Sequence, residues 1–124
     1  YGLLHEVKGL YREQLRYEIG RTRMVVCPDS PVTHNYWSNR VWNTLGLGGL
    51  LLHPRCLKLR HYYHSTDLLR YDSRQHLTEL IDAVMDMPES RRLSQREAGY
   101  WATIGRNTYR HRCEKLIKLV EERL

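Results

Sequence analysis

The chain has 124 residues and a formal net charge of +6, with 41% hydrophobic and 27% charged side chains. A chain this short holds one domain with a modest core, and its basic balance favours anionic partners such as nucleotides, nucleic acid or a membrane surface. Its three cysteines, Cys27, Cys56 and Cys113, form no Cys-x-x-Cys pair, which argues against a disulfide scaffold or a thiolate zinc site and for a reducing, cytoplasmic setting.

In chain order, residues 10–20 carry Leu10, Leu15 and Ile19 among charged side chains and predict a helix that ends at Gly20. Met24-Val25-Val26-Cys27 is a compact apolar run stopped by Pro28-Asp29, the pattern of a buried strand. Residues 28–37 have loop chemistry. A short helix is expected from Ser38 or Asn39, either of which can cap it, to about Leu45. Gly46, Gly48 and Gly49 then turn the chain into a second strand, Leu50-Leu51-Leu52-His53, closed by Pro54.

Residues 55–66 mix Arg, Lys, His and Tyr and read as an exposed connection. A third strand over 68–71 is expected to lie parallel to the second, since the helical pattern Leu77, Leu80, Ile81, Val84 follows it as in a crossover fold. Asp72 or Ser73 can cap that helix, and Pro88 breaks it. Leu93, Ala98, Trp101 and Ile104 place another helix up to about Gly105, with Tyr100 and Trp101 packing it on the sheet. A last helix carries Cys113, Leu116, Ile117 and Val120. Strands alternating with helices imply a parallel sheet, so the fold class expected is α/β, Rossmann-like. The apolar run at 50–52 is far too short for a transmembrane segment. The chain starts with Tyr rather than Met, and three strands are few for a doubly wound sheet, so it reads as the later part of a larger domain.

A polar helix start and a glycine turn entering an apolar strand is a common way for an α/β domain to present a phosphate-bearing ligand; a purely structural turn would need the same glycines. Arg40 is the best candidate for a diphosphate, because guanidinium grips phosphate oxygens in a fork; its other reading is an Arg that ties the loop to a carboxylate. His34 and Asn35 follow the first strand, on the side where α/β sheets hold ligands. Tyr36 and Trp37 can stack on a base or sugar or pack in the core. His53, His61 and His64 lack an acid or thiol to complete a metal site, so no metal or other cofactor is expected. Arg106, Arg110, His111, Arg112 and Lys115 form a basic patch that reads as a solvated face.

Several segments, in order, resemble a known family. Gly9-Leu10-Tyr11-Arg12-Glu13 is similar to its Gly-x-Val-Tyr helix opening, and Arg23 to Cys27 to its Ala-Lys-Ile-Val-Leu strand. Ser38-Asn39-Arg40 with the glycine run to Leu52 resembles its central block, and Tyr71-Asp72 its short strand with an acidic helix start. Met87-Pro88-Glu89-Ser90-Arg91 is similar to a His-Pro-Glu-x-Arg turn, and Arg106-Asn107-Thr108-Tyr109 to a His-Thr-Tyr segment. The family is the GT-B glycosyltransferases, in their C-terminal part, and within them the CgeB-like, spore-maturation-type branch.

The resemblance implies that residues 1–124 are a single partial domain, the C-terminal nucleotide-sugar-binding part of a glycosyltransferase whose N-terminal domain lies elsewhere. The fragment alone is then expected to be inactive. The donor site implied comprises Ser38, Asn39, Arg40, Asn43, Gly46, Gly48, Gly49 and His34. Asn43 stands where the family has a ribose-binding Glu; an amide still pairs with a hydroxyl but carries no charge. The alternatives are a basic nucleic-acid-binding module, against which the dispersed Lys and Arg and the lack of a binding motif weigh, and an assembly module without catalysis.

Overall fold

A computed structural model describes residues 11, 13–28 and 35–124. The elements are α1 (Glu13–Arg21), β1 (Val25–Val26), α2 (Arg40–Gly46), β2 (Leu51–Pro54), a 3-10 turn (Leu57–His61), β3 (Leu69–Tyr71), α3 (Arg74–Asp86), α4 (Glu89–Arg106) and α5 (Tyr109–Glu121). The three strands form one sheet in the order β1-β2-β3, and both pairings are parallel. Leu52 sits opposite both Val26 and Leu69, so the expected parallel partnership of the second and third strands holds. The fold is α/β, a Rossmann-like parallel sheet flanked by helices.

β2 is central and all four of its residues are buried. Alternation along an extended strand sends successive side chains to opposite faces. Leu51 joins Val41 and Leu45 of α2, Leu59, Tyr63 and Ala102 of α4 on one face. Leu50 and Leu52 join Val84 of α3 on the other, with Leu77, Leu80 and Ile81 beside them. This double cover explains why the run 50–52 is continuously apolar rather than alternating.

Three expectations are corrected. Asn39 does not cap α2 with its side chain: it already has helical angles (φ −60°, ψ −14°), whereas a capping residue needs extended ones to reach back. Residues 55–66 are not simply exposed, because the 3-10 turn drives Leu59 into the core and Tyr63 follows it; neither has measurable exposure. Trp101 does not pack on the sheet: it is 63% exposed and stacks edge-on against Tyr100 at the surface. Leu116, Ile117 and Val120 of α5 are exposed as well, since no described element lies over that stripe. By contrast, Ser73 caps α3, accepting from the His76 amide at 3.0 Å, and Thr108 forms a capping box with His111 at the start of α5.

Candidate functional site

In a parallel sheet the loops that leave the strands' C-terminal ends gather on one edge. The segment from Cys27 to Arg40 leaves β1 there, and α2 then runs back toward the start of β2. Its seven residues span roughly 10 Å. The two halves of the expected donor site therefore lie at opposite ends of α2.

Arg40 and Asn43 stand one turn apart and line a cleft of about 430 Å³. Its walls are Leu15 and Ile19 of α1, Thr22 just after that helix, Val25 and Val26 of β1, and Cys27. Apart from Glu18, Arg40 and Asn43, the lining is mostly apolar. Both Arg40 and Asn43 are exposed, and neither side chain has a hydrogen bond or ion pair among the described residues. Ser38 is half-buried, with its hydroxyl 3.9 Å from the Cys27 thiol. Asn39 faces a different cleft, described below. His34 lies outside the described residues.

The glycine turn sits at the entry to β2, where the three glycines differ in what they need. Gly48 has φ +78°, a left-handed conformation that side chains disfavour. A Cβ on Gly49 would lie 2.8 Å from Thr44 Cγ2 and 2.9 Å from Ile19 Cγ2, so this glycine lets α1 close onto α2. On Gly46 a Cβ would meet only Thr103 Cγ2, at 3.4 Å. Arg96 of α4 donates from Nε to the Gly48 carbonyl and from Nη2 to that of Gly20, at 3.1 Å, pinning the turn to the end of α1.

A second cleft, of about 500 Å³, opens on the other side of α2. Trp37, Trp42 and Tyr62 form a half-buried aromatic cluster, with centroids 5.4–6.2 Å apart. The Arg112 guanidinium stacks over Trp42, 3.9 Å from the ring centroid, and the Lys115 ammonium is 6.0 Å from that of Tyr62. Arg106 and Asn107 close the floor. Arg106 reaches the buried Asp67 at 3.0 Å, and Asn107 Nδ2 donates to the carbonyls of Tyr62 and Ala102. Sequence reasoning treated Arg112 and Lys115 as a solvated face. No local signal could have joined them to Trp42, some seventy residues away in the chain.

Tyr63 supports this cleft from below. Its hydroxyl lies 2.8 Å from Thr103 Oγ1, and Thr103 in turn donates to the Gly99 carbonyl. Burial pushes the Tyr63 hydroxyl up to about 12 from the usual 10, against the opposing pull of Thr103 and the Arg112 charge. The fold thus favours the neutral phenol. Its contribution is complete below pH 10 and falls between pH 10 and 12, where the unfolded chain sheds the proton first. Tyr63→Phe should flatten the loss of stability across that window, measured by urea midpoints at pH 9, 10 and 11. An unchanged slope would contradict it.

Among the described residues no group of three His, Cys, Asp or Glu side chains could hold a metal ion, and no helix is long and apolar enough to cross a membrane. The three cysteines are unbridged; Cys27 and Cys56 are buried and Cys113 is exposed. A family model described as glycosyl transferase-like matches residues 3–118 of the chain. No curated protein and no solved structure matches it.

Proposed function

The chain belongs to the glycosyl transferase-like family, and from that premise we propose that it is the C-terminal, donor-holding part of a GT-B glycosyltransferase of the CgeB-like branch. It would act in the cytoplasm with an N-terminal domain across the cleft. The observation that carries this reading is the shared cleft of Arg40 and Asn43 alongside β1, with both side chains unpartnered among the described residues. Arg40 offers a permanent charge with fork geometry for a nucleoside diphosphate, which neutralises the leaving group as the glycosidic bond to the donor breaks. Asn43, one turn on, offers an amide to a ribose hydroxyl. The apolar walls from α1 and β1 suit the nucleoside. In this reading the glycine turn supports α2 from behind rather than touching the donor, with Gly49 letting α1 close onto α2 and Arg96 holding the Gly48 carbonyl.

Calorimetry with UDP, GDP and their 2′-deoxy analogues tests the proposal. Arg40→Ala should weaken binding of the preferred diphosphate by about 1.5–3 kcal/mol, and Asn43→Ala by about 0.5–1.5 kcal/mol. The Asn43 effect should shrink with the deoxyribose analogue. Binding that is unchanged in both variants would remove this cleft as the donor site.

A further inference from the structure

We propose that the aromatic–basic cleft on the other side of α2 is a second binding site, for a sugar that carries one anionic group. The cleft lacks any Asp or Glu in its described lining. Arg112 and Lys115 have no carboxylate partner among the described residues, so two positive charges converge on one pocket uncompensated. Arg112 spends its planar face on Trp42, which leaves the N–H rim of the guanidinium for a phosphate or carboxylate. Lys115 sits over the neighbouring Tyr62 ring and adds a second donor.

The rest of the pocket matches a sugar. Trp37, half-buried beside Trp42 and Tyr62, gives an aromatic face against which the C–H face of a pyranose can pack. Asn35 and Asn39 are exposed at the rim, and an amide both donates to and accepts from a hydroxyl. A volume of about 500 Å³ suits one or two sugar rings. A single-stranded nucleic acid fits less well: it needs a row of cations along a groove, and these two lie one turn apart at a single mouth. The helix start at Asn39 and Arg40 separates this pocket from the proposed donor cleft. The existence of this site does not depend on the transferase reading above.

The test follows the tryptophan fluorescence of the whole chain during titration with glucose 6-phosphate, glucuronate, glucose, inorganic phosphate and a dT10 oligonucleotide. Glucose 6-phosphate or glucuronate should bind saturably and at least about tenfold tighter than glucose or phosphate alone, and which of the two wins identifies the anionic group. Arg112→Gln should weaken that binding about tenfold or more. Lys115→Gln, an exposed change that removes the charge and keeps all three rings, should weaken it severalfold, while Arg91→Gln on the exposed face of α4 should not. Saturating UDP should leave the affinity unchanged. Glucose binding as well as its phosphate, wild-type affinity in both variants, displacement by UDP, or preferential binding of dT10 would each overturn the proposal. A failure of UDP to bind would sink the donor site and leave this one standing.

Discussion

Tyr63→Ala is expected to cost about 3–5 kcal/mol of folding stability, the range for removing a buried aromatic ring. For a small domain that is a large part of the whole. The ring has no measurable exposure and stands against Trp42 at 5.3 Å, in the same cluster as Leu59, Leu68 and Val41. Its removal opens a cavity at the junction of α2, the 3-10 turn and α4, and it orphans the Thr103 hydroxyl on one side. Tyr63→Phe keeps the ring and should lose only about 1 kcal/mol, from one hydrogen bond. Urea unfolding followed by tryptophan fluorescence separates the two. A loss below about 1.5 kcal/mol in the alanine variant would mean that the junction collapses to fill the space.

Gly99→Val should cost about 3 kcal/mol or more, through overpacking rather than a cavity. A Cβ at position 99 would lie 2.6 Å from the Asp67 carbonyl oxygen and 2.7 Å from Leu45 Cδ2. The carbonyl cannot yield cheaply, because the Asp67 side chain is tied to the His64 amide at 2.7 Å and to Arg106 at 3.0 Å. This glycine lets α4 approach both the loop before β3 and α2, and so holds Arg106 and Asn107 at the floor of the aromatic cleft. Gly105→Ala in the same helix is the control. Nothing lies within 4 Å of its added Cβ, so it should be neutral or stabilising by up to about 1 kcal/mol. Similar melting temperatures for the two variants would contradict this account.

The sequence by itself determined the elements and their parallel order. The runs at 24–27, 50–53 and 68–71 could be read as strands because buried parallel strands are short, apolar and bounded by turn residues. The helices after Ser73 and Pro88 were legible from apolar spacing and from cap and breaker chemistry, which act within a few residues. The pairing of Arg40 with Asn43 in one cleft was also local, being one helical turn.

Only the tertiary structure decided what covers what. Periodicity marks an apolar face but not its partner, so Trp101 read as packed on the sheet and stands exposed, while Leu59 and Tyr63 read as a connection and are buried. Glycines have the same signature whether a ligand or another helix comes close. The neighbours of Gly49, Thr44 and Ile19, settle that it is a helix. The stacking of Arg112 on Trp42 joins residues far apart in the chain, and contacts of that kind are fixed by how α5 leaves α4 rather than by any nearby residue.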